Sequence, residues 1–215
     1  MPSRAAASGE PTKLIPRAVL FGNPEKAGAQ VSPDGSKISY LAPVNGVLNV
    51  WVGPSGKANE AKAVTADTKR GIRQYFWAHT SQHLVYLQDT DGDENWRAYS
   101  VDLATGKTIP LTPFEKIAAT VQEVSEKFPE EILVGINKRD PEYHDLYRAN
   151  VRTGELTLAI QNEGYSGFST DDDFKVRFAT KSLDDGGVEE FKVTEKDGKF
   201  AFESYEKIGR EDIDG

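Results

Sequence analysis

The feature that most constrains this chain is a repeat. Four stretches share one order of parts: a turn rich in Asp, Gly, Pro or Ser, an alternating apolar strand, a polar loop, a second strand, and a turn that closes on Gly. The first places Ser32-Pro33-Asp34-Gly35 ahead of Ile38-Ser39-Tyr40-Leu41, and continues with Leu48-Asn49-Val50-Trp51-Val52. The second holds His83-Leu84-Val85-Tyr86-Leu87 and Trp96 to Val101; the third, Glu131 to Ile136 and Asp145 to Ala149; the fourth, Phe174 to Phe178 and Glu190 to Val193. Ile38, Leu84, Ile132 and Val176 fall 46, 48 and 44 residues apart, while Gly56, Gly106, Gly154 and Gly198 fall 50, 48 and 44 apart. Two independent markers give one period. It matches the ~40–50 residues of a four-stranded propeller blade and is too long for leucine-rich or ankyrin units.

Apolar and polar residues alternate at period two within these runs, and Val, Ile, Tyr, Phe and Trp are the residues that strands favour. No stretch longer than about ten residues carries a helical apolar stripe, the segment Lys13 to Phe21 excepted. Thr105-Gly106, Thr153-Gly154 and Asp197-Gly198 put Gly where a tight hairpin needs positive φ. A fourth, outer strand is expected after each closing turn, at 61–65, 108–112, 156–160 and 200–204. The reading is an all-β chain of about four four-stranded antiparallel β-propeller blades, at 27–66, 72–113, 119–161 and 164–205. Residues 1–26 form an N-terminal segment, and 206–215 a connector into a missing blade.

Composition excludes several chemistries. With no Cys there is no disulfide, thiolate metal site or cysteine nucleophile, so the fold rests on packing and strand pairing. A net charge of -8 argues against nucleic acid, whose phosphates need clustered Lys and Arg. Met1 to Pro11 lacks the apolar run of a signal peptide or anchor, which points to a cytoplasmic protein without a membrane partner.

The residues also resemble a known family. The Ser32-Pro33-Asp34-Gly35 turn resembles the repeat of TolB-type propellers and of S9 (prolyl oligopeptidase family) serine peptidases. Asp89 to Leu103, with Asp89-Thr90-Asp91-Gly92-Asp93-Glu94-Asn95-Trp96 at its start, looks like the second blade of acylaminoacyl-peptidase-like and dipeptidyl-aminopeptidase-like S9 enzymes. Asn137 to Tyr147 looks like their third blade, and Leu14-Ile15-Pro16-Arg17 with Leu20-Phe21-Gly22-Asn23-Pro24 resembles their opening segment. The resemblance implies a partial propeller of a larger ring, of about seven or eight blades, followed in the parent by an α/β-hydrolase domain that is absent here. It implies a gating role over peptide substrate for this part, with a stand-alone TolB-like binding module as the alternative; a truncated arc is expected to leave a blade face of large apolar side chains uncovered, which a closed ring would bury.

No catalytic residue, cofactor site or metal site is expected within the chain. A Gly-x-Ser-x-Gly nucleophile elbow is missing; Gly53-Pro54-Ser55-Gly56 and Gly164-Tyr165-Ser166-Gly167 come near but lack the second Gly at the right spacing. Asp89, Asp91 and Asp93 mimic the first half of a calcium loop, but Glu94 stands where Gly should bend it and Ser100 where a bidentate Glu should close it. His79, His83 and His144 fall on turns and strand starts at different rims. The loops between second and third strands emerge on one propeller face. Asp93, Glu94, Arg97 and Arg139 are the candidates for meeting the hydrolase domain or gating substrate, ordinary solvated hairpin tips being the alternative.

Overall fold

A computed structural model describes residues 14–22 and 25–213. Most of the expected N-terminal segment, Asn23-Pro24 of the opening motif, and Asp214-Gly215 lie outside the described residues. A short helix, α1 (Arg17–Phe21), precedes sixteen strands that form four four-stranded sheets. The first sheet is β1 (Ala27–Val31), β2 (Lys37–Val44), β3 (Val47–Pro54) and β4 (Lys62–Ala63); the second is β5 (Gln74–Trp77), β6 (His83–Gln88), β7 (Arg97–Asp102) and β8 (Thr108–Pro110). The third is β9 (Ala119–Val124), β10 (Glu131–Ile136), β11 (Asp145–Asn150) and β12 (Leu156–Ile160). The fourth is β13 (Gly167–Thr170), β14 (Val176–Ser182), β15 (Val188–Lys196) and β16 (Lys199–Ile208), followed by α2 (Arg210–Ile213). Every sheet is an antiparallel meander in sequence order, the form of a propeller blade.

The period-two pattern explains how blades join. A strand sends successive side chains to opposite faces, and in β6 Leu84 packs towards the first blade while Val85 packs towards the third. Both faces of the second strands of the two inner blades are therefore covered, so β6 and β10 read as near-continuous apolar runs: Ile132, Leu133 and Val134 are all 0% exposed. Leu41 and Val50 meet Tyr75, Trp77 and Leu84 at the first junction. Val85, Leu87 and Ala98 meet Ile132, Val134 and Ala149 at the second. Leu133, Leu146 and Ile160 meet Phe174, Ala179 and Val193 at the third. No hydrophobic cluster of the described residues contains members of both the first and the fourth blade. The blades form an arc.

Polar ties recur at the same period and set blade spacing. Gln30 Nε2 donates to the Tyr75 carbonyl (2.8 Å) and Gln122 Nε2 to the Phe168 carbonyl (2.9 Å), joining first strand to first strand. At one rim the Asp34 N–H donates to Ser81 Oγ (3.0 Å), and Ser125 Oγ to the Asp172 carbonyl (2.6 Å). The Ser-Pro-Asp-Gly turn is locked from within: Ser32 Oγ and the Ser36 N–H both donate to Asp34, holding its carboxyl well below the usual range.

Three expectations shift in detail. The first outer strand pairs over only Lys62–Ala63, because Thr65 Oγ1 takes the Val50 N–H (2.9 Å) in place of a ladder bond. Glu206, Lys207 and Ile208, expected in the connector, instead pair with β15, with Ile208 opposite Val188. The long β15–β16 hairpin, closed by Asp197-Gly198, carries them into the sheet. The outward face of the last blade, expected to be apolar in an open arc, carries the cross-strand row Phe178, Lys192, Glu203 and the row Thr180, Glu190, Glu206. The outward face of the first blade does present a small apolar cluster, Tyr40, Ala42 and Trp51, whose polar tips are tied to the Ala58 and Ala42 carbonyls.

Leu84→Ala, at the first junction, is expected to cost about 2–5 kcal/mol in urea denaturation, whereas Leu158→Ala at a half-exposed position costs under about 1 kcal/mol. Alkaline titration gives a second check. Burial, with Tyr99 stacked at 5.3 Å, pushes the Tyr86 hydroxyl up to about 12. A raised folded pKa keeps the native state protonated where the unfolded chain ionises, so stability falls from about pH 10 to pH 12. Tyr86→Phe should remove the latest step of tyrosinate absorbance and weaken that fall.

Candidate functional site

In a meander of this kind the loops between second and third strands share a rim with the connections between blades. The structure ties them together there. In the β6–β7 loop Asp89, buried, pairs with Arg70 of the preceding connection (3.3 Å), and Asp91 pairs with Lys69 (2.8 Å). Asp93 is spent within the loop: it accepts from the Thr90 N–H (3.0 Å), the Asn95 N–H (3.1 Å) and Asn95 Nδ2 (3.0 Å), and these bonds, Asn95's side chain first, hold its carboxyl below the usual range. The carboxylates of Asp89, Asp91 and Asp93 thus turn to three different partners. No group of His, Asp and Glu among the described residues is arranged to hold a metal ion.

The four expected site residues divide. Arg97 opens β7 and donates from Nη2 to Thr90 Oγ1, so Asp93 and Arg97 clamp the two ends of one loop. Glu94 sits at its tip, exposed, with φ +56, the left-handed region that a tight reversal requires. Arg139 lies in the equivalent loop of the third blade. Its Nε and Nη2 reach Asp145 at 3.0 and 2.9 Å, and Nη2 also donates to the Asn162 carbonyl. Asp145 is only 2% exposed and accepts the Asn162 N–H (2.7 Å) as well. Asn162 in turn receives the Gly164 and Tyr165 N–H groups, at 3.0 and 2.8 Å. Arg139 is thereby the clasp of the connection from third to fourth blade, and the carboxylate of Asp145 raises its pKa. Sequence could flag Arg139 as a charged loop residue. Its carboxylate partner six positions on becomes a clasp only once the strand start at Asp145 turns back beneath the loop.

The serines near glycines are structural. Ser55 donates its N–H to the Ser36 carbonyl across a turn, and Ser166 donates its hydroxyl to the Thr180 carbonyl (2.9 Å); neither has a histidine partner. His83 is buried and bonded to Thr80 Oγ1 (3.0 Å), and burial lowers its pKa as it does that of His144. Among the described residues no helix is long and apolar enough to cross a membrane.

Two further features stand on the inner side of this rim. A cavity of about 440 Å³ lies where the first strands of three blades approach, with Gln30, Arg73, Tyr75, Phe76 and Val121 in its wall. A second, of about 370 Å³, shares Arg73, Gln74, Leu87 and Thr120 with it and extends to Trp96. Sequence inspection passed over Arg73, although Lys69-Arg70-Gly71-Ile72-Arg73 puts three bases into five residues of an acidic chain.

Over 203 residues the chain is 45% identical to the dipeptidyl aminopeptidase BIII of Pseudoxanthomonas mexicana, covering 94% of this chain and 29% of that protein. This chain is a homologue of the S9-type dipeptidyl peptidases. It is also 32% identical over 192 residues to dipeptidyl peptidase family member 6 of Caenorhabditis elegans, covering 86% of this chain and 26% of that one. The chain thus spans less than a third of the curated relatives it matches. No family model matches it. Among solved structures, the propeller domain of the trilobed protease from Pyrococcus furiosus superposes with a TM-score of 0.52 at 15% identity, covering 85% of this chain and 64% of that one. Oligopeptidase B from Leishmania major gives 0.53 at 13% identity, covering 82% and 26%. TolB from Acinetobacter baumannii gives 0.52 at 12% identity, covering 82% and 43%. At these identities the likeness is one of fold: four propeller blades.

Asp145→Ala removes three acceptor contacts at once and should cost about 2–3 kcal/mol, the low end for a buried pair because Arg139 can turn to water. Glu94→Gln should leave stability within about 0.5 kcal/mol. Thermal and urea melts of the two variants check the contrast.

Proposed function

We propose that this chain is the non-catalytic propeller portion of an S9-type serine peptidase, limiting which peptides reach an α/β-hydrolase domain supplied by the rest of the parent protein. The observation that carries the reading is the 45% identity along nearly the whole chain to a dipeptidyl aminopeptidase of which it spans only 29%. The lack of any serine with a histidine partner among the described residues fits a part that works through binding and exclusion. In this reading the rim of loops between second and third strands faces the hydrolase domain. Asp93 and Arg97 hold the second-blade loop rigid, Arg139 fixes the spacing of third and fourth blades, and exposed Glu94 offers a carboxylate to substrate or to the other domain. A gate needs such a fixed frame, since a loop that collapses cannot exclude by size.

The test is the product of the native gene. A species longer than 215 residues that hydrolyses dipeptidyl or acyl-peptide chromogenic substrates, and is silenced by a serine-directed reagent, is the expected result. The 215-residue chain alone should hydrolyse neither. A native product no longer than this chain, stable and inactive, would overturn the reading in favour of a small TolB-like binding module. In the longer protein, Glu94→Gln should change the ranking of peptide substrates by kcat/KM without altering thermal stability.

A further inference from the structure

Every arginine from Arg70 to Arg177 donates to an acceptor on the protein except one. Arg70, Arg139, Arg148, Arg152 and Arg177 pair with carboxylates, and Arg97 with Thr90. Arg73 has no hydrogen bond, ion pair or ring contact to a described residue. It is exposed and directly precedes β5, the innermost strand of the second blade. Two cavities, of about 440 and 370 Å³, meet at its side chain, and no Asp or Glu lines either.

An unpaired guanidinium in a protein of net charge -8 would find an acidic partner readily if one were within reach. Its planar fork matches a carboxylate with two parallel bonds. Gln74, also exposed, adds an amide that no described residue engages. Tyr75 and Phe76 line the first cavity and Trp96 the second. Pockets of about 300–1,000 Å³ with apolar walls and a few fixed polar groups are the usual shape of a specific binding site.

We propose that the two joined cavities bind an extended peptide, with Arg73 receiving an acidic side chain of that peptide. The cavities share Arg73, and one extends to Gly28 and Gln30 while the other extends to Trp96, so a chain lying along both would run past the guanidinium, which favours an internal Asp or Glu over a terminal carboxylate. The proposal rests on the reading of this chain as a peptide-handling propeller and names the substrate feature that it selects. Trp96 and the Asp93 to Arg97 clamp place the outer end of the groove beside the gating loop, so selection and gating share one path.

The test is a binding titration of the native gene product, its hydrolase silenced by a serine-directed reagent, with blocked peptides, acetyl-Ala-Ala-Glu-Phe-Ala-amide against its Gln counterpart, followed by Trp fluorescence and calorimetry. The Glu peptide should bind about tenfold or more tightly, the effect of a charge-assisted pair, with the difference shrinking at high salt. Arg73→Gln should abolish the discrimination, Arg73→Lys should retain part of it, and Lys107→Gln on the opposite rim should leave it unchanged. Equal affinities, no binding of either peptide at millimolar concentration, or discrimination that survives Arg73→Gln would overturn the proposal. So would tighter binding of a peptide whose only carboxylate is terminal. Hydrolysis of unblocked dipeptidyl substrates by the native gene product is read separately, so the peptidase reading can stand when the Arg73 site falls.

Discussion

The structure depends on burying both faces of the second strand of each inner blade between neighbouring sheets. Ile132, Leu133 and Val134 show the constraint at its simplest: three consecutive residues point in alternating directions and all are fully buried, because a sheet lies on either side. A single blade would leave both such faces in water, at roughly 25 cal/mol for each Å² of apolar surface. The blades therefore stabilise one another in a row, and their polar ties follow: Gln30 to Tyr75 and Gln122 to Phe168 bond across junctions whose separation the packing has already set.

The two ends of the row differ. The first blade ends in Tyr40 stacked on Trp51, a small aromatic face that keeps its polar tips on backbone carbonyls. The fourth ends in Lys192, Glu203, Glu190 and Glu206, charges that lose little by staying hydrated, around the aromatic pair Phe178 and Tyr205. In repeat arrays a polar outer face is what lets a terminal unit stand in water. The same chemistry would make any further junction at this edge wetter than the three within the chain, where Leu and Val face Phe, Tyr and Ile.

Function in such a frame comes from what the rim leaves unspent. Most charged groups there are consumed in holding loops: Asp89 by Arg70, Asp91 by Lys69, Asp93 by its own turn, Asp145 by Arg139 and Asn162. These pairs convert mobile hairpin tips into fixed walls, and a fixed wall is what a gate over a peptide path requires. Glu94 and Arg73 are among the charges left over, one at the loop tip and one at the inner groove. The homology to dipeptidyl peptidases is what supports the proposed peptide path.

The sequence alone determined the repeat, its period, the strand positions and the absence of a nucleophile elbow. These are local or periodic properties, set by side-chain alternation and by turn residues such as Pro33-Asp34-Gly35 that act over a few positions. The resemblance to S9 enzymes was legible too, in Asp89 to Leu103 and Asn137 to Tyr147. Tertiary structure alone decided which charges are free. Arg139 and Arg73 look alike in sequence, each a base in a loop near a strand start. One meets Asp145 beneath it and closes a junction; the other, where strands of three different blades approach, meets no acid among the described residues. The same holds for the charged face of the last blade, since the period-two pattern shows that a strand has two faces and cannot show what lies against each. Contacts between side chains some 45–48 positions apart depend on how blades stack, and local sequence carries no record of that.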